Sequence, residues 1–227
     1  YETLNPFILK GRKEPLSESL LFDTLMARAF DEPDSYYGLV AKTVEQPADK
    51  TWVAFNIDPL ARFHDGTKIT AADIVFTFSV LVKDGHPRYR INFRDVAKAE
   101  ATSPDRVKFT FKPGTHRDLP TRLAALPVLS KAYYDKVDFK KTTFDAPLAS
   151  GPYRVEKLEP GRSITYNRVT EYWAKNLPVT RGRYNFDYIT VDYYRDREVM
   201  FQAFFSKQYD FREDFTSRQW ATQYDKP

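Results

Sequence analysis

Ala61-Arg62-Phe63-His64-Asp65-Gly66-Thr67-Lys68-Ile69-Thr70-Ala71-Ala72-Asp73-Ile74-Val75-Phe76 joins a turn to a helix start. Asp65-Gly66 predicts the turn, because Gly accepts backbone angles that other residues resist. Thr70 to Asp73 has the form of a capping box, a hydroxyl followed three residues later by an acid. The helix that opens there runs through Ile74, Phe78 and Val82 and stops near Gly85. Upstream, Val53, Phe55 and Ile57 alternate within 51–58, the pattern of a half-buried strand. Downstream, Val107, Phe109 and Phe111 alternate with Lys108, Thr110 and Lys112, which predicts another.

Further out, Ser17 to Ala29 reads as a helix, with Leu21 and Leu25 four apart and Ser17 as its N-cap. Tyr153 to Leu158 and Ser163 to Asn167 flank Glu159-Pro160-Gly161-Arg162, a hairpin through a type II turn. Ile189, Val191 and Tyr193 give one more strand, and 196–206 a short helix with Phe201 and Phe205 on one face. The order is irregular, so the fold class is α/β of the mixed α+β kind rather than a regular βαβ array. Residues 17–116 are expected to form a subdomain inserted into a core built from 1–16 and 117–227.

Composition narrows the function. In 227 residues, 42% are hydrophobic and 16% aromatic, with 18 Phe and 15 Tyr. That is a folding chain, not a disordered one. The net charge of +4 is dispersed without a Lys/Arg run, which argues against nucleic acid as a partner. No Cys is present, so disulfides, Cys-ligated zinc and thiol nucleophiles are excluded. No apolar stretch approaches the ~20 residues of a membrane-spanning helix. His64, His86 and His116 are spaced too widely for a helical metal pair and read as exposed loop histidines. Ala149-Ser150-Gly151-Pro152 lacks the G-x-S-x-G elbow, and phosphate-cradling glycine motifs are missing. Adjacent Glu213 and Asp214 read as surface charge, so no catalytic residue, metal or cofactor is assigned and the protein is not read as an enzyme.

Three groups of strings together resemble a known family. The first is Leu4-Asn5-Pro6-Phe7 with Leu21-Phe22-Asp23-Thr24-Leu25. The second is Trp52 to Ile57 with Ala61 to Phe76. The third is Ala149-Ser150-Gly151-Pro152-Tyr153 with Pro160-Gly161 and Glu171-Tyr172-Trp173. In this order they resemble extracellular solute-binding proteins of family 5, the dipeptide and oligopeptide class. Asp31-Glu32-Pro33, Arg181 to Asp187, Asp192 to Asp196, Tyr209 to Arg212 and Trp220-Ala221-Thr222 bring the likeness closest to the binding components of Yej-type transporters of peptides and microcin C. Lys68 stands where the family usually has Pro, and Ser150 where Thr is commoner.

The resemblance implies a type II periplasmic-binding-protein fold. The chain would be the first lobe of two, a piece of a longer receptor whose C-terminal lobe lies outside it or on a separate polypeptide. It also implies a periplasmic location, a peptide ligand and an inner-membrane ABC permease as partner. By position after Leu4-Asn5-Pro6, Lys10-Gly11-Arg12 corresponds to the edge that pairs with an extended peptide. Ser150, Gly151 and Tyr153 form a second ligand-binding candidate, and Arg212 with Glu213 a third. Most of the signature reads as scaffold, with Trp52, Phe55, Phe63 and Tyr172-Trp173 as packing. The alternative ligands within the class are a metal chelate, haem or an oligosaccharide. A non-transport interaction module that reuses the lobe is the alternative outside it.

Overall fold

The computed structural model describes residues 1–32, 34–114 and 117–224. The chain divides into two compact units, Tyr1–Thr190 and Val191–Pro227.

In the first unit, helix α1 (Ser17–Leu21) is a single turn and a half. Strands β1 (Met26–Arg28) and β2 (Tyr36–Gly38) pair antiparallel, Ala27 opposite Tyr37. The helix expected over 17–29 therefore stops at Leu21. Phe22 turns extended (φ −116°, ψ 126°), and the next main-chain groups are claimed from far away. Leu25 N–H donates to Leu126 O at 2.9 Å, and Val128 N–H to Asp23 O at 2.9 Å. Ser17 is not the N-cap either; Leu16 holds that place, and the buried Ser17 hydroxyl donates to Glu14 O.

The main sheet is antiparallel, in the order β3-β4-β6-β5. Its strands are β3 (Ala41–Glu45), β4 (Trp52–Ile57), β5 (Val96–Ser103) and β6 (Arg106–Phe111). Val53, Phe55 and Ile57 are buried as their alternation requires, and so are Val107, Phe109 and Phe111. Helix α2 (Ala71–Asp84) packs on β5 and β6. Phe78 of α2 meets Phe109 at 5.4 Å between ring centroids, and Phe109 meets Phe55 at 6.1 Å. Such edge-to-face contacts add to the area buried by each ring. Trp52 stays half-buried on the sheet surface under the Lys108 ammonium, 4.7 Å from its ring.

The capping box forms as its spacing predicts. The Thr70 N–H and hydroxyl both donate to Asp73 Oδ2, at 2.9 and 2.7 Å. Oδ1 of the same carboxylate accepts the Lys131 N–H at 2.9 Å, so one acid fixes a helix start and anchors a distant segment. The short helices α3 (Pro87–Asn92), α4 (Leu119–Ala124) and α5 (Lys131–Tyr134) follow.

A three-stranded sheet in the order β7-β8-β9 comprises β7 (Tyr153–Glu159), β8 (Ser163–Arg168) and β9 (Tyr188–Asp192). The turn between β7 and β8 carries Gly161 at φ +73°, and Arg162 N–H closes it on Glu159 O at 2.9 Å. In the second unit, α6 (Arg197–Phe205) is capped by Asp196, and α7 (Ser217–Gln223) follows. Phe201 and Phe205 lie 4.7 Å apart, as their spacing predicts, although Phe205 remains 45% exposed. No helix of the described residues is long and apolar enough to cross a membrane.

Candidate functional site

Strings from the first and third groups of the signature converge on one buried carboxylate. Asp23 is 4% exposed and accepts from Tyr172 Oη at 2.7 Å and from Trp173 Nε1 at 2.9 Å. Its own N–H donates to Ser150 Oγ at 3.2 Å. Burial pushes the Asp23 carboxyl up to about 7, and the hydrogen bonds from Tyr172, Trp173 and Ser150 hold it from rising further. Beside it, the Ser150 and Gly151 N–H groups both reach Leu21 O, at 3.2 and 2.7 Å. Gly151 is obligatory here for space: a Cβ would lie 2.6 Å from the carbonyl carbon and oxygen of Leu21.

Ser150, Gly151 and Tyr153 are accordingly all buried, and their polar groups serve the scaffold. Tyr153 Oη donates to Phe186 O at 2.9 Å. Of this candidate, Ser150 lines a cavity of about 370 Å³ together with His64, Arg154 and Trp173.

His64 and His86 are not the exposed loop residues that their polar surroundings suggest. Both are half-buried. His64 Nε2 lies 2.8 Å from Gly151 O, and its main-chain N–H donates to Ala149 O at 2.8 Å, so the Phe63–Gly66 turn is laced to the Ser150 segment. Burial lowers the His64 pKa below the ordinary imidazole value, the Gly151 carbonyl opposes that, and the Arg154 charge adds to it. His86 caps α3, its Nδ1 accepting the Arg88 N–H at 3.2 Å. His116 lies outside the described residues, as does Pro33 of Asp31-Glu32-Pro33. Among the described residues no group of His, Asp and Glu is arranged to hold a metal ion.

Lys10-Gly11-Arg12 sits at the surface beside the Leu4-Asn5-Pro6 string. That string is itself rigid. Asn5 is buried, accepts the Phe7 N–H at 3.0 Å and donates to Phe139 O at 2.8 Å. Arg12 is pinned by Glu2, whose N–H donates to Arg12 O at 2.6 Å and whose carboxylate accepts the Arg12 N–H at 2.9 Å. Gly11 has φ +81°, and a Cβ there would approach Thr142 Cγ2 at 3.1 Å. Among the described residues, the N–H and C=O groups of Lys10 and Gly11 enter no main-chain hydrogen bond. The result is a surface bend held at Arg12, with main-chain groups still open at Lys10 and Gly11.

Arg212 belongs to the second unit and is 4% exposed at its side chain. It stacks 5.2 Å over the Phe201 ring and lies 3.3 Å from Asp214. Asp214 also accepts the Thr216 N–H at 2.8 Å and the Tyr224 hydroxyl at 2.9 Å, and these bonds, the Thr216 one first, hold its pKa below the usual carboxylate value. Only Glu213 is the surface charge that the sequence suggests; Asp214 is an internal partner of Arg212. Little in its own segment marks Asp23 as a site residue beyond an acid within Leu20-Leu21-Phe22-Asp23-Thr24-Leu25, because Tyr172 and Trp173 lie 149 and 150 residues away.

The family model of bacterial extracellular solute-binding proteins, family 5 Middle, matches residues 35–227. The chain belongs to this family. The chain is 41% identical over 99% of its length to the "Uncharacterized protein YejA" of Escherichia coli. It is 34% identical over 100% of its length to the "Probable peptide-binding protein YejA" of Agrobacterium fabrum. The chain spans 37% and 38% of the length of the E. coli protein and of several other curated relatives it matches. The periplasmic binding protein DppA of Helicobacter pylori, solved with the peptide STSA, superposes with a TM-score of 0.71 at 16% identity, covering 91% of this chain and 43% of that one. The fold of family 5, of type II periplasmic-binding-protein kind, is thereby shown.

Proposed function

We propose that this chain forms one wall of the ligand cleft of a periplasmic receptor that delivers peptides to an ABC permease. The observation that carries the reading is the likeness along the whole chain to a relative named as peptide-binding. The geometry agrees with it. Lys10 and Gly11 present open main-chain groups next to an Arg12 fixed by Glu2. An extended peptide can add there as a strand, and because every peptide has the same backbone, such pairing tolerates many sequences. Each hydrogen bond contributes only about 0.5–1.5 kcal/mol net, so several must act together with a facing lobe. Closure of two lobes then follows from the ligand's greater affinity for the closed state. A peptide–nucleotide such as microcin C fits the same reading, since main-chain pairing does not depend on what the peptide carries at its end.

Ser150, Gly151 and Tyr153 act behind this wall as its support, and Arg212 orders the segment around Glu213. Titration calorimetry of a protein of the relatives' full length carrying this chain, against a mixed peptide pool, tests the proposal. Heat with peptides of unrelated sequence is expected. Silence with every peptide, together with saturable binding of a nickel chelate, haem or an oligosaccharide, would overturn it.

A further inference from the structure

The cavity of about 370 Å³ next to Asp23 has a wall chemistry that the peptide reading does not use. Three arginines line it, Arg62, Arg154 and Arg168, against one acidic residue, Glu171. Glu171 is already engaged by Lys175 at 3.1 Å. Asp65 lies next to the lining turn, but its Oδ1 is taken by the Thr67 N–H and hydroxyl at 2.9 and 2.6 Å.

Arg62 and Arg168 are held in place. Arg62 Nη1 donates to Pro59 O at 2.7 Å and to Ala61 O at 2.8 Å, bonds that orient the group without neutralising it. Arg168 pairs with Asp187 through one terminal nitrogen, while its buried Nε has no hydrogen-bond partner among the described residues. Arg154, exposed on β7, has no ion-pair partner among the described residues. Its charge is felt at His64, which lines the same cavity. Phe63 and Tyr172 supply buried apolar surface behind these groups. Clustered guanidiniums over a part-apolar wall repel one another unless an anion joins them, and their planar donor forks match the oxygens of carboxylate and phosphate.

We infer that this cavity is a binding site for a small oxyanion, a carboxylate or phosphate group held between Arg62, Arg154 and Arg168. The volume falls within the range of small-ligand pockets. The site is independent of the Lys10–Arg12 edge, so it stands or falls separately from the peptide proposal.

The test follows the His64 ring resonances by NMR at low ionic strength while inorganic phosphate, succinate or acetyl-Glu-Glu is added to the purified protein. Phosphate and succinate represent free anions, and the blocked dipeptide an anionic group on a larger solute. A saturable shift with at least one of them is expected, and the one that binds tightest identifies the source. Arg154→Gln should weaken that binding about tenfold or more, the cost of a lost charge-assisted bond. Arg162→Gln removes the same charge from the exposed tip of the same hairpin and should leave the affinity unchanged. Arg154 is exposed, so neither variant threatens folding. Shifts that stay linear with all three anions, or equal to those from chloride at matched ionic strength, overturn the inference. So does an equal loss in both variants.

Discussion

Asp23 and Tyr172 are 149 residues apart in the chain and 2.7 Å apart in the fold, carboxylate to hydroxyl. With Trp173 donating to the other oxygen at 2.9 Å, the pair joins the segment after α1 to the segment after β8. Leu39 and Ala174 pack with Tyr172 in the same buried cluster. A polar bond inside apolar packing fixes one arrangement, because any slip leaves a buried donor unpaired. Strings that sequence comparison treats as separate marks of a family are thus parts of one joint.

Asp23→Ala should cost about 3 kcal/mol, since it strands the Tyr172 hydroxyl and the Trp173 N–H in the interior. Tyr172→Phe removes one partner and should cost about 1–2 kcal/mol. Urea unfolding at neutral pH measures both, and equal losses would contradict the geometry.

The raised Asp23 pKa also sets a pH dependence. The folded carboxyl holds its proton to about pH 7, whereas the unfolded one releases it near 4. Between those values the folded state binds more protons, so stability from this group is complete below about pH 4 and falls as pH rises to 7. The loss is at most about 4 kcal/mol. Denaturant midpoints from pH 4 to 8 should show that slope, and Asp23→Asn should flatten it.

His64 works in the opposite sense. Its folded pKa is depressed, so the unfolded chain takes up a proton first as pH drops below about 6.5. Stability from His64 is present above that value and declines in acid. In His64→Gln, which can still donate to Gly151 O, the acid-side decline should be smaller in the same titration.

Gly151→Ala should destabilise by about 3 kcal/mol, because its Cβ would press on Leu20 and Leu21 main-chain atoms that cannot swing aside. Gly161→Ala meets nothing within 4 Å and carries only the cost of its φ of +73°, about 1 kcal/mol. Thermal melts of the two variants would separate steric from conformational need.

Local rules made much of this fold legible. The Thr70–Asp73 box, the Gly161 turn and the alternating strands at Val53 and Val107 each depend on residues within one turn or one strand. The helix expected over 17–29 failed because Asp23 and Leu25 are drawn into bonds with Val128 and Leu126, which outweigh local propensity. The exposed reading of His64 fails for the same reason, since its partner Gly151 lies 87 residues away. Ser150, Gly151 and Tyr153 stand out in the sequence as a candidate ligand contact, and the structure buries all three.

The central claim is that Lys10 and Gly11 offer main-chain groups to a peptide. Amide hydrogen exchange of a protein of the relatives' full length carrying this chain, with and without saturating peptide, tests it most directly. The account predicts that the Lys10 and Gly11 amides exchange fast in the free protein and slow by about tenfold or more on binding. Peptide binding that leaves both amides as fast as before would contradict it.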